Sequence, residues 1–444
     1  MKARIVMIAV LLSVVLLLVT GCGDDHREGQ KDQRADTLAD TIKGTWQGSI
    51  KLPKQDLPII VSFDVGEKLN GTISIPVQGV KDYPLSKVTT DKTDVSFQAN
   101  IQGQHIAFDG SLKDDTIEGT FTQNGQSFPF ELKNAKDKQE ANQTEEDEGQ
   151  FLKLETDKGT LYAELETPKR DTPYPVMIII PGSGPTDRNG NSTALPGKND
   201  SLKRLAKQLA QHGIASIRYD KRGVGKNQSA VIPEEKLTFD RFVNDAVAWA
   251  GKLNNDQRFS KVGITGHSQG SLVGMLAAQE TNVDAFISLA GAGQPINQVM
   301  YNQLKEQLPD NLLQESKDIL DKLKEGEHVK DVPQQLQSVF RPSVQSFLSS
   351  WMQYNPSKEI QKLEIPMLIV NGKHDIQVSV SAAKKLHQAN ENSKLLLIPK
   401  MNHVLKKAPK DRRENMDAYS DPDLPLVDGL IKGILSFLKN NGAD

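Results

Sequence analysis

Gly266-His267-Ser268-Gln269-Gly270 is the stretch that decides the fold of the larger part of this chain. It follows a short apolar run (Val262, Ile264) and leads into a helix-like run from Leu272 to Gln279. A serine on a sharp strand-to-helix turn points its hydroxyl outward. The turn also brings the residues two positions either side so close together that glycine fits best there. The five-residue pattern alone arises by chance roughly 0.1–0.2 times in a chain of this length and composition, so its partners decide the case.

An active serine needs a base, and the base needs an orienting carboxylate. On an open parallel sheet both follow the serine, the acid before the histidine. Downstream, Ile365-Pro366-Met367-Leu368-Ile369-Val370 reads as a buried strand, and Asn371-Gly372-Lys373-His374-Asp375 as the loop after it. A helix-like stretch (Ser381 to Asn390), a further apolar strand (Leu395 to Ile398) and Pro399-Lys400-Met401-Asn402-His403 come next. Asp375 and His403 therefore stand just past the C-terminal ends of successive strands, where open α/β sheets hold their ligands. Among the eight histidines, His374 is the main rival, because it shares the loop of Asp375. His26 falls in a polar leader, His105 in a region of different texture and His387 within a predicted helix. His267 adjoins the serine, and adjacent residues on a turn do not normally face each other. Only His403 has the strand-then-loop setting.

A developing oxyanion calls for two backbone N–H donors. Gln269, directly after the serine, supplies one. The other is expected from the loop Pro181-Gly182-Ser183-Gly184-Pro185, which follows the predicted strand Val176 to Ile180. Ser183 is the candidate donor, with Gly184 next to it.

Taken together, Pro181 to Pro185 with Asp187 and Asn189, Tyr219-Asp220-Lys221-Arg222-Gly223-Val224-Gly225, Gly266 to Gly270, Asn371 to Asp375, and Asn402-His403 resemble the α/β-hydrolase superfamily. The likeness is to the branch of serine-aminopeptidase-like hydrolases and bacterial carboxylesterases, and it runs from about residue 148 to 438. It implies an α/β fold: a doubly wound, mostly parallel sheet with a helical lid. It also implies a serine hydrolase that cleaves carboxylic esters through an acyl-enzyme, with Ser268, His403 and Asp375 as catalytic residues and Gln269 and Ser183 as the oxyanion hole. No cofactor and no metal are implied. A peptidase or amidase using the same triad is the alternative, and a non-catalytic binding lipoprotein on this scaffold is a third reading. The chain departs from the pattern at Asn227, where relatives carry a serine, and at Pro181, where many carry histidine.

The single cysteine carries the second strong signal. Met1 to Arg4 is basic, Ile5 to Thr20 is apolar and uncharged, and Val19-Thr20-Gly21-Cys22 follows. This order reads as a secretory signal, and a small residue before Cys22 resembles the lipobox of bacterial lipoproteins. The resemblance implies cleavage after residue 21, lipidation of Cys22 and a chain held at the extracytoplasmic face of a bacterial membrane. Two acyl chains give lasting attachment where one is marginal. One cysteine excludes an intrachain disulfide and a cysteine-based zinc site. A net charge of −3 without a basic patch gives no footprint for nucleic acid, so a small ester and the membrane are the expected partners.

The remaining organisation follows from texture. Residues 22–40 are polar and read as a tether. Residues 41–134 carry short alternating runs (Gly44 to Ile50, Pro58 to Phe63, Val95 to Ala99, Gly119 to Gln123) split by Gly, Asn and Asp, the pattern of an antiparallel β domain that is curved or barrel-like. Trp46 and Phe121 are expected in its core. Residues 135–150 form an acidic linker, and 151–440 the catalytic domain. Between about 294 and 360 no buried strand is evident. Leu304, Leu308, Leu312, Ile319, Leu320 and Leu323 recur at helical spacing, as in a helical lid inserted after the sixth strand. Trp351 and Tyr354 are its candidates for the border of an acyl pocket.

Overall fold

The computed structural model describes residues 38–442 except 40, 52–55, 66–68, 76–79, 102–103, 124–125, 135–148, 193–196 and 306. The expected leader (1–21), Cys22, nearly all of the tether and most of the linker lie outside the described residues.

The N-terminal sheet contains β1 (Gly44–Lys51), β2 (Asp56–Val65), β3 (Leu69–Ile75), β4 (Val80–Pro84), β5 (Lys87–Asp91), β6 (Asp94–Ile101), β7 (Gln104–Lys113), β8 (Thr116–Gln123) and β9 (Gln126–Asn134). Their order is β4-β3-β2-β1-β9-β8-β7-β6-β5, and every pairing is antiparallel. The edge strands β4 and β5 are neighbours in sequence. Three Cα steps from Pro84 to Lys87 reach at most about 11 Å, so the sheet must curl until its two edges meet at that corner. Leu85 N–H to Gly71 O (2.9 Å) and Ser86 N–H to Gln98 O (2.7 Å) tie the corner to both sides. Alternating side chains fill the inside: Trp46, Val61, Phe63, Phe97, Phe108, Phe121 and Phe130 are all buried. Phe97 stacks on Phe108 at 4.5 Å and meets Phe130 edge-on at 6.0 Å, geometries that favour aromatic pairs. Trp46 and Phe121 are thus core residues, as expected. Leu38, assigned from sequence to the polar tether, packs into this core beside Ile42, and the Trp46 indole N–H donates to the Ile42 carbonyl at 2.7 Å. The physical reason is the apolar pair four residues apart, which buries both side chains in the core of the sheet.

The second sheet contains β10 (Gln150–Thr156), β11 (Gly159–Glu166), β12 (Tyr174–Ile180), β13 (Ala215–Tyr219), β14 (Phe259–His267), β15 (Ala285–Leu289), β16 (Met367–Gly372) and β17 (Lys394–Ile398). The order is β10-β11-β13-β12-β14-β15-β16-β17. The hairpin β10–β11 joins antiparallel to β13, and the other pairs are parallel. The five strands β12 to β16 are buried along most of their length, as strands covered on both faces must be. Ile178, Ile180 and Ile264 face α2 (Phe239–Asn254) and α3 (Gln269–Glu280). Met177 and Ile179 face α1 (Ser201–Gln211) and the C-terminal helix Leu430–Asn440.

From β12 the chain crosses to β13 on one side, then returns to lay β14 on the other. Strand order reverses at β12, and such a switch point opens the crevice in which doubly wound sheets bind ligands. The insertion after β15 carries α4 (Ile296–Lys305), α5 (Asp310–Lys324) and α6 (Gln345–Met352). It has its own core of Ile319, Leu320, Leu323, Leu336, Phe340, Leu348 and Met352. Trp351 and Tyr354 dock this insertion on α2: Trp351 stacks on Phe239 at 5.5 Å, and the Tyr354 hydroxyl donates to Asp240.

Candidate active site

Ser268 stands at the end of β14, with φ 54° and ψ −118°. A non-glycine residue in that region is strained and persists only where its surroundings over-determine it. Two glycines do so here. A Cβ on Gly266 would lie 2.1 Å from the Gly270 carbonyl oxygen, and a Cβ on Gly270 would lie 2.4 Å from that of Ile180. The pairing of Ile180 with Gly266 sets the β12 loop beside the turn, and a Cβ on Gly182 would come 3.3 Å from the Cβ of Ser268. Ser268 is half-buried, so its hydroxyl is reachable.

The acid and the base arrive on the next two loops of the sheet. Gly372, the last residue of β16, abuts the Met401 backbone, where a Cβ would lie 2.0 Å from the carbonyl oxygen. That contact joins the loops of Asp375 and His403. Asp375 accepts the backbone N–H groups of Gln377 and Val378 on Oδ1, both at 2.8 Å. Its Oδ2 takes the hydrogen bond from His403 Nδ1 at 2.9 Å, with the carboxylate wholly and the imidazole almost wholly shielded from water. This arrangement fixes the tautomer with Nε2 unprotonated, as a general base requires. Ser268 Oγ has no hydrogen-bond partner among the described residues. The Asp375–His403 link is therefore made and the His403–Ser268 link is not, and such bonds commonly close only when substrate is present.

The rival histidines are turned elsewhere. His374 Nδ1 donates to the Ala408 carbonyl at 2.7 Å. His387 pairs with Ser393, just past the end of its helix, and His105 with Asn100 in the N-terminal sheet. His267 is not the base, but it has a supporting place that sequence reasoning did not assign. Its ring lies 4.9 Å from that of His403, and its Nε2–H donates to the His403 carbonyl at 2.8 Å. Burial, and then the neighbouring His403, push its pKa down to about 4. His267 is thus a neutral strut that holds the His403 loop against the turn. The His403 loop meets His267 across 136 residues of chain, and no short-range pattern signals that.

Of the two candidate oxyanion donors, Gln269 N–H opens α3 and Ser183 N–H lies in the exposed β12 loop. Neither has an acceptor among the described residues. The loop is held from behind by a buried ionic network. Arg188 binds Glu164 at 2.6 Å and Asp220 at 2.9 Å. Arg218, fully buried within β13, binds Glu164 at 2.8 Å and also donates to Asn189. Burial works to raise the pKa of Glu164, but Arg218 and Arg188 outweigh it and hold the carboxyl below its usual range. Asp187, pushed up to about 6 by burial, still accepts the N–H groups of Asn189 and Asn191 at 2.9 and 2.8 Å. Sequence reading missed Glu164, Arg188 and Arg218. The available signal was an arginine inside the otherwise apolar run Ala215–Tyr219, since a buried charge demands a partner. Asn227, at the serine position of the resembling pattern, is fully buried and well bonded. It accepts Tyr162 N–H at 2.7 Å and donates to the Asp220 carbonyl at 2.7 Å and the Tyr162 carbonyl at 3.2 Å. The departure thus keeps the loop closed.

A family model described as serine aminopeptidase, S33, matches residues 197–407. Esterase EstD of Thermotoga maritima is 28% identical over 252 residues, covering 55% of this chain and 58% of that protein. Among solved structures, Est1E from Butyrivibrio proteoclasticus is 18% identical with a TM-score of 0.42, covering 67% of this chain and 100% of its own. A thermophilic esterase from Thermogutta terrifontis is 16% identical with a TM-score of 0.41, covering 66% of this chain and 99% of its own. The sheet order and the strained serine turn are those of an α/β-hydrolase fold, and residues 197–407 are similar to the serine aminopeptidase family. The chain spans 58% of the EstD sequence.

Proposed function

We propose that this protein is a carboxylic ester hydrolase that works through an acyl-enzyme and is anchored by lipid outside the cell membrane. The observation that carries the reading is the shielded Asp375–His403 pair, joined by His267 to the turn that bears Ser268. In this reading, Ser268 Oγ attacks the acyl carbonyl while His403 Nε2 takes its proton. Asp375 stabilises the imidazolium that forms. Gln269 N–H and Ser183 N–H bind the oxyanion. His403 then protonates the leaving alcohol, and a water activated by the same imidazole releases the acid. The relative EstD is named an esterase, which favours ester over amide. An exo-acting peptidase would also need an acidic site for a substrate amino terminus, and the sequence offers no evident one.

The discriminating experiment compares p-nitrophenyl esters of graded acyl length with aminoacyl-nitroanilides. We expect turnover of the esters at least about a hundredfold faster than of the anilides, the gap expected where a site is built for one leaving group. Faster anilide cleavage would reverse the assignment to the peptidase reading.

Cys22 supports the anchoring half of the proposal. No helix among the described residues is long and apolar enough to cross a membrane, and residues 1–37 are outside that set. Cys22→Ser is expected to abolish lipid labelling and to release the protein or leave it unprocessed. An unchanged, processed, membrane-bound variant would remove this half and leave the esterase half standing.

A further inference from the structure

Beside the proposed nucleophile lies a buried cation that the mechanism does not use. Lys221 follows β13 and is 7% exposed. Its backbone N–H reaches the Thr186 carbonyl at 3.3 Å, which ties it to the β12 loop. Its ammonium lies 4.5 Å from the centre of the Phe242 ring on α2. That ring in turn meets Phe347 of the lid edge-on at 5.7 Å. The single hydrogen bond of the ammonium goes to Gln269 Oε1, at 2.6 Å. No carboxylate among the described residues pairs with it, and burial alone pushes its pKa down to about 7. A buried ammonium normally has an anionic partner or several acceptors, because desolvating it is costly.

Gln269 completes the observation. Lysine only donates, so the amide oxygen must face Lys221 and the amide nitrogen must point away. That nitrogen is buried and has no partner among the described residues, on a side chain whose residue is 5% exposed. Gln269 is also the residue directly after Ser268. A buried ammonium with no carboxylate partner and a buried amide nitrogen with no acceptor among the described residues thus meet at the residue that follows the reacting serine. Nothing in the ester chemistry requires them there.

We infer that Lys221 and the Gln269 side-chain amide form a subsite for a carboxylate on the acyl part of the substrate, so that the preferred esters are half-esters of dicarboxylic acids. This rests on the esterase reading above. The carboxylate would take one hydrogen bond from the ammonium and one from the amide, and would supply the counter-charge that Lys221 lacks. A charged hydrogen bond in a desolvated site corresponds to about tenfold or more in kcat/KM.

The test measures acid release in a pH-stat from monomethyl succinate, glutarate and adipate, each against the methyl ester of the straight-chain monocarboxylic acid of equal carbon number. We expect the wild type to favour the half-ester at least about tenfold at one chain length or more. Lys221→Met should bring that ratio to one or below. If Lys221 merely propped up Gln269, Lys221→Met would slow both esters alike and leave the ratio unchanged, which overturns the subsite. Wild-type turnover of the neutral esters without preference for any half-ester also overturns the subsite, while sparing the esterase reading. No turnover of either series, with no labelling of Ser268 by a fluorophosphonate, would take both down. The wild-type ratio decides the matter even if Lys221→Met fails to fold.

Discussion

Ser268→Ala is expected to lower kcat for p-nitrophenyl esters by about 10⁴-fold or more and to abolish labelling by a fluorophosphonate. The size follows from the role. The hydroxyl at the strained turn is the group that would bond to the substrate carbon, and Gly266 and Gly270 close around it with no room for a Cβ. Ser271, the next serine along the chain, is buried, with its Oγ bonded to Ser288 at 2.7 Å. His403→Ala should cost a similar factor by itself, and the double variant little more than either single one, because the groups act as one proton-transfer unit. Additive losses would mean that the two side chains work independently. Labelling that survives Ser268→Ala would place the nucleophile elsewhere.

The second large effect concerns stability. Asp220→Ala should destabilise the catalytic domain by about 3–5 kcal/mol, the range for removing one partner of a buried ion pair. Asp220 is 1% exposed. It accepts Arg188 N–H on Oδ1 at 2.8 Å, and the Arg188 guanidinium and Lys226 N–H on Oδ2 at 2.9 and 2.8 Å. Alanine would leave the Arg188 guanidinium with only one of its two carboxylates and strand two amides at once. The loop carrying Ser183 rests on the same arginine, so ester turnover should fall with stability. Urea unfolding followed by a probe in the α/β part, such as Trp249, measures the effect without assuming that both sheets unfold together. A loss below about 1 kcal/mol would show that Glu164 alone suffices for Arg188, contrary to the reasoning about buried pairs.

The two predictions divide along the line between local pattern and tertiary contact. The serine turn was legible because its requirement is local: glycines two residues either side, an apolar strand before, a helix after. Asp375 and His403 were legible because each sits in a loop just past a recognisable strand, and the parallel sheet brings those ends to one edge. The curled N-terminal sheet was legible as alternation, since a half-buried strand must expose every second side chain. Its closure was not, because closure depends on which distant strands become edges.

What escaped the sequence shares one feature, namely partners far apart in the chain. Arg188 meets Glu164 and Asp220 across 24 and 32 residues, and Lys221 meets Gln269 across 48. Periodicity and spacing report which face of an element is buried, and they say nothing about which buried charge meets which. His267 and His403 are separated by 136 residues. Their contact exists only because β14, β15, β16 and β17 lie side by side, so that two loops remote in sequence turn over the same serine. The sequence alone marked the candidate reactive groups and their order along the chain. The tertiary structure alone decided which histidine faces the carboxylate, what holds the β12 loop, and which buried cation has no carboxylate among the described residues, because those are settled by packing across strands and not along them.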